Sequence, residues 1–136
     1  MSKINIQASI NASVSKVWES WNNPEDIKQW CFASDDWGAP HAENDLREGG
    51  NFVTTMAAKD GSFSFDFGGV YTKVVEHSEI HYTMGDGRTV EVKFEVNGNE
   101  TIVYESFDPE SQNPIEMQQA GWQAILNNFK KYVEQK

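Results

Sequence analysis

The chain has 136 residues, a formal net charge of −10 and a sequence pI near 4.6. Its apolar share of 38% and charged share of 24% exclude a disordered tail and a coiled coil, and its length predicts a single domain over residues 1–136. The acidic balance, with Arg47 and Arg88 as the only arginines, makes nucleic acid and anionic membranes poor partners, because both select basic patches.

Cys31 is the only cysteine, so the sequence supports neither an internal disulfide nor a cysteine metal cluster. We expect this thiol to be buried and inert. Residues 1–5 lack the apolar run of a signal peptide, and no segment is apolar enough to span a membrane. We therefore expect a cytoplasmic protein without membrane insertion, and no residue pattern indicates a cofactor.

The first elements are a strand and two short helices. Residues 4–10 alternate between apolar and polar side chains, which predicts a half-buried strand. The next apolar residues follow the helical spacing i, i+3, i+4, i+7: Val14, Val17, Trp18 and Trp21. Ser13 is expected to cap this helix. Asn23 and Pro24 are expected to end it and to begin a second helix that runs to about Trp30.

The middle of the chain predicts an antiparallel meander. Glycine and asparagine turn signals at 60–61, 68–69, 85–87 and 97–99 separate short runs rich in β-forming residues. The clearest run is 89–96, where Val90, Val92, Phe94 and Val96 alternate with polar residues. The predicted strands cover residues 52–58, 62–67, 70–76, 79–84, 89–96 and 101–107.

A long amphipathic helix is predicted at the C-terminal end, with Asn113 as its cap, Pro114 at the first helical position and Glu116 at the third. Its apolar face comprises Met117, Gly121, Trp122, Ile125, Leu126, Phe129 and Val133. One helix cannot cover a flat sheet of seven strands, so the sheet must curl around it, with bulges expected at glycines 49–50 and 68–69. The predicted fold is α+β: a strongly curved antiparallel sheet wrapped around the C-terminal helix.

Five segments, spread from residue 12 to residue 122, carry a resemblance to a known family. They are Ala12–Trp18 (ASVSKVW), Pro24–Trp30, Asp45–Phe52 (DLREGGNF), Gly69–Thr83 (GVYTKVVEHSEIHYT) and Gly121-Trp122. In this order they resemble the helix-grip fold of the START/Bet v 1-like (SRPBCC) superfamily, and more narrowly the family named for the C-terminal domain of the activator of Hsp90 ATPase. The superfamily includes lipid carriers, hormone receptors and cyclases, so the resemblance implies a fold rather than an activity. The separate N-terminal domain of Hsp90-activating proteins has no counterpart here, and co-chaperone activity is not carried over.

In this superfamily, the space between sheet and long helix is commonly a ligand cavity. An apolar, aromatic lining is typical of such sites, and Gly121 leaves room where a ligand approaches. The alternative is a filled core, in which the same side chains simply pack against one another. The residues expected to line the cavity and bind a hydrophobic or aromatic small molecule are Trp30, Phe32, Trp37, Phe52, Met56, Phe65, Phe67, Tyr82, Met84, Phe94, Met117, Gly121 and Ile125.

Residues 31–44 are rich in turn-forming residues and are predicted to be a loop. Its aromatic residues, Phe32 and Trp37, form either a lid over the cavity or a cap folded back on the core. The same segment carries the side chains that general-base catalysis or metal binding would use: Asp35, Asp36, His41 and Glu43. They have no fixed spacing signature, so we expect a solvated acidic loop, with no catalytic residue and no metal site.

Three functions follow from these observations. The first is a binding protein for a hydrophobic small molecule. The second is a small enzyme of cyclase, dehydratase or hydrolase type, which would need a titratable group in the cavity; the inward faces identified above carry almost none. The third is a stress-related or chaperone-associated interaction domain, with Phe32 and Trp37 as the exposed patch. A weak homodimer through an open sheet edge stays an alternative.

Overall fold

A computed structural model describes residues 3–136 of the chain. Its elements in chain order are β1 (Ile4–Ile10), α1 (Val14–Asn22), α2 (Pro24–Trp30), β2 (Trp37–Asn44), β3 (Asn51–Ala58), β4 (Ser64–Val75), β5 (Glu79–Met84), β6 (Thr89–Asn97), β7 (Glu100–Phe107) and α3 (Ile115–Gln135). Within these residues, no helix is both long enough and apolar enough to cross a membrane.

The seven strands form one antiparallel sheet in the order β1-β7-β6-β5-β4-β3-β2. Strands β2 to β7 follow one another as a meander, and β1 pairs with β7, the last strand, along its whole length. The sheet is curled and packs against the three helices. The α+β helix-grip fold predicted from the sequence is therefore confirmed.

Helix α3 runs beside β1, which is an edge strand of the sheet. Side chains of α3 reach the free carbonyl oxygens of this edge: Gln119 Nε2 donates to Asn5 O at 3.3 Å, Gln123 Nε2 to Gln7 O at 3.1 Å and Lys130 Nζ to Ser9 O at 2.6 Å. These bonds satisfy acceptors that an edge strand would otherwise expose to another chain. They also place α3 towards the β1–β7 side of the sheet, although Trp122 still contacts Phe67 of β4 edge-on, with ring centroids 5.8 Å apart.

The two short helices have the predicted caps. Ser13 Oγ accepts a hydrogen bond from the backbone N–H of Lys16 at the start of α1. Asn23 Oδ1 accepts from the backbone N–H of Glu25 at the start of α2, while the Asn23 backbone N–H donates to Glu19 O at the end of α1. One residue therefore ends the first helix and begins the second, as the sequence predicted.

The predicted cap of α3 is wrong. The helix begins at Ile115, one residue later than expected, because Pro114 has an extended ψ of 146° and occupies the cap position itself. Asn113 makes no side-chain cap bond. Its carbonyl oxygen instead accepts a hydrogen bond from Gln118 Nε2 at 2.8 Å.

The segment at 31–44, predicted to be a loop throughout, is a loop only at residues 31–36. Residues Trp37–Asn44 form strand β2, which pairs with β3 and has a register shift between Gly38 and His41. Pro40 lies within this shift. Proline is tolerated there because β2 is an edge strand and its outer side needs no donor.

The segments 62–67 and 70–76, predicted as two strands, are one strand, β4, of 12 residues. Gly68 and Gly69 lie within it as paired residues rather than as bulges, and the register shift falls between Tyr71 and Lys73. The backbones come unusually close at these glycines. A Cβ atom on Gly68 would lie 2.4 Å from Phe52 O, and one on Gly69 would lie 2.5 Å from Thr83 O. Glycine is therefore required here by contact with neighbouring strands.

Gly68→Ala tests this requirement. We expect the substitution to lower the free energy of unfolding by about 1–3 kcal/mol, because the added methyl group meets backbone atoms that cannot move aside cheaply. Chemical denaturation would measure the change. Gly85→Ala, in a turn where no atom lies within 4 Å of the added group, is the matched control and should change stability little. Equal effects of the two substitutions would contradict this account of the curved sheet.

Candidate functional site

Aromatic contacts hold α3 against the rest of the protein at two points. Trp122 stacks on Phe107 of β7 with ring centroids 3.9 Å apart and an interplanar angle of 11°. About two turns further on, Phe129 lies edge-on to Trp21 of α1 and Trp30 of α2, with ring centroids 4.9 and 4.7 Å apart. Because Trp122 packs on β7 and Phe129 packs on the short helices, the central strands remain only partly covered.

The uncovered space is a cavity of about 460 Å³ between α3, the short helices and the inner face of the sheet. Its walls come from β3, β4, β5 and β7, and polar side chains lie mainly at its rim. The lining residues are Trp21, Ile27, Trp30, Cys31, Glu43, Phe52, Thr54, Met56, Phe65, Phe67, Tyr71, Ile80, Tyr82, Arg88, Glu105, Glu110, Asn113, Gln118, Trp122 and Ile125.

Seven of the residues that the sequence analysis placed in the cavity do line it: Trp30, Phe52, Met56, Phe65, Phe67, Tyr82 and Ile125. The inner faces of β3 and β4 supply most of them, because Met56 pairs with Phe65 and Phe52 pairs with Gly69, so that these side chains share one face. Period-two alternation found Phe65, Phe67 and Tyr82, whereas Trp30 and Ile125 lie on helices.

The other six predicted residues lie elsewhere. Phe94 is buried under α1, where it contacts Trp18 and Trp21 edge-on, and Met84 is buried outside the lining. Met117 is 60% exposed on the outer side of α3, because Gln118, one residue on and about 100° around the helix, is the side chain that turns inward.

Phe32 and Trp37 lie outside the cavity lining and pack against neighbouring side chains. Phe32 packs against the core, and its carbonyl oxygen lies 3.4 Å from Asn128 Nδ2 of α3. Trp37 begins β2 and contacts Phe63 and Phe65, with ring centroids 6.1 and 6.0 Å apart. Phe63 and Phe65 are 59% and 43% exposed, so this aromatic cluster marks where the cavity reaches the surface.

Gly121 borders the cavity without lining it. It lies on α3 between Gln118 and Ile125, which are one turn away on either side and both line the cavity. No atom lies within 4 Å of the position that a Cβ atom would occupy on Gly121. The helix therefore has unfilled space at this position.

The rim near the start of α3 is a hydrogen-bonded loop. Gln118, which is buried, accepts from the backbone N–H of Glu110 at 2.8 Å and donates to the carbonyl oxygens of Glu110 and Asn113. The Glu110 carboxylate accepts from the backbone N–H groups of Gln112 and Asn113. These bonds fix the loop, so the rim on this side is preformed.

The sequence analysis missed the main polar group of the cavity, Glu105. Its side chain is on the inner face of β7, in a row of cross-strand partners whose other members are apolar: Ile6, Val92 and Ile80. Glu105 is only 7% exposed, and among residues 3–136 no group makes a hydrogen bond to its carboxyl oxygens. The signal was available, because Thr101, Val103 and Phe107 share its alternation phase and all three are buried.

Burial raises the pKa of Glu105 to about 8, because the carboxylate loses part of the hydration that would stabilise its charge. Two neighbouring acidic groups respond in the same direction. Burial, with the nearby Glu105 charge as a second cause, raises the pKa of the Cys31 thiol to about 12 and that of the Tyr82 phenol well above its usual value. At neutral pH the cavity therefore holds a carboxylic acid, a phenol and a thiol, all predominantly protonated. The expectation of a buried, inert Cys31 agrees with this.

The acidic residues and histidine singled out near residues 35–43 do not form a site. Asp36 accepts a hydrogen bond from Ser34 Oγ at the surface, and the exposed His41 lies 3.4 Å from Glu43. Asp36 and His41 are outside the cavity lining, although Glu43 reaches its rim. Within residues 3–136, no group of three or more His, Cys, Asp or Glu side chains is placed to hold a metal ion.

Comparison with known proteins gives one family and many similar structures. The family model described as "Activator of Hsp90 ATPase homolog 1-like protein" matches residues 11–134. The AHSA1-like protein from Aeromonas hydrophila is 46% identical, with a TM-score of 0.92, and Chr148 from Cytophaga hutchinsonii is 56% identical, with a TM-score of 0.85. Each alignment covers 98% of this chain and 92% of the other. Protein CV1439 from Chromobacterium violaceum, at 20% identity over 98% of this chain and 99% of its own, shares the fold with a TM-score of 0.87. No curated protein matches the chain.

Glu105→Gln tests the buried acid through stability. The pKa of Glu105 rises on folding, so unfolding releases a proton between pH 5 and 8, and the wild-type protein loses stability as pH rises through this window. Relative to Glu105→Gln, we expect this loss to approach about 1.4 kcal/mol per pH unit and to level off above pH 8. Denaturant unfolding at pH 5, 6, 7 and 8 measures the difference.

The control is Glu100→Gln, at an exposed position at the start of the same strand. Its difference from wild type should stay nearly constant over the same pH range. A constant difference for Glu105→Gln as well would show that this carboxyl ionises as readily in the folded state as in the unfolded state.

Proposed function

The chain belongs to the family of Activator of Hsp90 ATPase homolog 1-like proteins, and we propose that it binds a hydrophobic or aromatic small molecule in the cavity between α3 and the curved sheet. The fold of this family commonly has a ligand-binding cavity. What is specific to this chain is the class of small molecule that its cavity binds.

The observation that carries the proposal is the cavity itself. Protein interiors are close-packed, with few voids larger than a water molecule, whereas sites for small ligands measure about 300–1,000 Å³. A volume of about 460 Å³ belongs to the second class and favours a ligand site over the filled core that the sequence left open. The lining is largely aromatic and aliphatic, with a few polar groups, as is typical of such sites.

The affinity would come mainly from burial of apolar surface. Each Å² of apolar surface removed from water contributes about 25 cal/mol, so a ligand that buries about 200 Å² gains about 5 kcal/mol before the costs of association. Aromatic side chains such as Trp122 and Phe67 also offer ring faces and edges to an aromatic guest.

The enzymatic alternative has less support. It needs a titratable group in the cavity, and Glu105 supplies one, but the general-base candidates Asp36 and His41 both lie outside the lining. The interaction alternative relied on Phe32 and Trp37 as an exposed patch, but both are partly buried against the core. The binding role requires neither and rests on a space that already exists.

A direct test is the mass of the purified protein measured under native and then denaturing conditions. A ligand carried through purification would give a constant excess mass that disappears on denaturation. Should the masses agree, the cavity is empty as purified, and the next step is to titrate it with small aromatic probes. Failure of every apolar probe to bind would reject the proposal.

Gly121→Leu should reduce binding while leaving the protein folded. The Cβ atom of the new side chain enters unfilled space beside Gln118 and Ile125, and the leucine then occupies volume that a ligand needs. We expect the dissociation constant for an apolar probe to rise about tenfold, which corresponds to about 1.4 kcal/mol. Calorimetric titration with naphthalene would measure it, and circular dichroism would establish folding.

The matched control is Ala120→Leu, which adds a leucine to the same helix at an exposed position. It should leave the dissociation constant within about twofold of wild type, since ΔΔG values for exposed positions usually stay within about 0.5 kcal/mol. If Gly121→Leu binds as tightly as Ala120→Leu, the ligand does not occupy the cavity beside α3.

A further inference from the structure

We propose that Glu105 and Tyr82 form a two-donor hydrogen-bonding site in the wall of the cavity, and that the ligand is a hydrophobic molecule with a carbonyl-type oxygen that accepts from both. This inference rests on the proposed function, since it names the class of molecule that the cavity takes.

Glu105 lies in an otherwise apolar row of the sheet. Its neighbours in the cross-strand row are Ile6, Val92 and Ile80, and an apolar residue would complete the row without any polar group to satisfy. Glu105 is 7% exposed as a residue, and its carboxyl group has no hydrogen-bond partner among residues 3–136, which is costly in a cavity that stays empty. A ligand that pairs with it removes that cost, and local rules of folding are characteristically broken at functional sites.

Tyr82 supplies the second donor of the proposed site. It is 7% exposed and lines the same cavity from β5, two strands away from Glu105 on β7, and a charge on Glu105 raises the pKa of its phenol. Within the described part of the chain, its hydroxyl group makes no hydrogen bond. The other lining tyrosine is different, because Tyr71 Oη already donates to Asn44 Oδ1 at 2.6 Å.

Both side chains are protonated at neutral pH. Burial holds the pKa of Glu105 near 8 and that of Tyr82 well above 10, so both groups are donors at neutral pH. The other titratable groups of the lining do not offer a counter-charge. Cys31 is a protonated thiol, Arg88 is paired with Asp86 at 2.7 Å, and Glu43 and Glu110 are themselves acidic.

The complement of two donors in one cavity wall is a ligand with an acceptor oxygen. A carbonyl oxygen has two lone pairs and can accept from both groups without carrying charge into the cavity. A carboxylate ligand would enter a protein of net charge −10 without an unpaired cation among the described lining residues. An ammonium ligand would require the ionised form of Glu105, which burial disfavours. A neutral carbonyl compound avoids both costs.

The test compares two probes of similar size and shape. 2-Acetylnaphthalene carries a carbonyl oxygen, and 2-ethylnaphthalene lacks it. Dissociation constants come from calorimetry, with protein injected into dilute ligand because the hydrocarbon is poorly soluble. The quantity of interest is the ratio of the ketone's affinity to the hydrocarbon's. This ratio is measured in wild type, Glu105→Leu, Glu105→Gln and Tyr82→Phe. Taking the ratio removes any change in the cavity that alters the affinity of both probes equally.

In Glu105→Leu we expect the ratio to fall about tenfold, the difference that one buried hydrogen bond makes. Glu105→Gln restores a donor and should keep the ratio near that of wild type. Tyr82→Phe removes only a hydroxyl group and should also lower the ratio. For wild type, ketone affinity should be constant from pH 6 to 7 and fall above about pH 8 as Glu105 ionises, whereas Glu105→Gln should show no such fall.

An unchanged ratio in Glu105→Leu would overturn the inference, as would ketone affinity that rises with pH, because a carboxylate would then be the binding form. Either result would leave the proposed function intact if both probes bind. Failure of 2-ethylnaphthalene and 2-acetylnaphthalene to bind wild type at all would instead count against the proposed function.

Discussion

The position of α3 on the edge strand β1 is the constraint on which the rest of the structure depends. Gln119, Gln123 and Lys130 bond to carbonyl oxygens of β1, and Trp122 stacks on Phe107 in the adjacent strand. These contacts satisfy the edge of the sheet and at the same time hold α3, the longest helix among residues 3–136, towards the β1–β7 side. The sheet curls towards the helix but does not close on it, and the cavity is the space that remains.

The walls of this cavity are preformed. Glycines within β4 let neighbouring backbones approach closely, and this contact supports the bend that carries the aromatic inner faces of β3 and β4 around the space. The hydrogen bonds of Gln118 fix the loop at the opposite rim. A preformed site loses less conformational entropy when it binds, so apolar contact alone gives useful affinity.

The electrostatics of the cavity differ from those of the surface. Outside, the carboxylates are solvated, and several are paired with lysine or arginine, as in Asp108 with Lys3. Inside, Glu105 has no such partner among the described residues, and its raised pKa keeps it protonated at neutral pH. One acidic residue type therefore serves two purposes: charge on the surface and neutral hydrogen bonding within the cavity. The physical cause is the access of water to the carboxyl group.

Local patterns determined the elements and much of the site. Alternation identified the strands and the inner positions of Phe65, Phe67 and Tyr82, while Ser13 and Asn23 marked the starts of α1 and α2. Short-range geometry decides these features, so the sequence alone suffices for them. Three other features were decided only by the tertiary structure, because they depend on contacts between distant segments. These are the pairing that makes residues 37–44 a strand, the orientation of Met117 away from the cavity, and the dry environment that changes the protonation of Glu105. Burial by distant neighbours sets each of them, and no local pattern records which neighbours will come together.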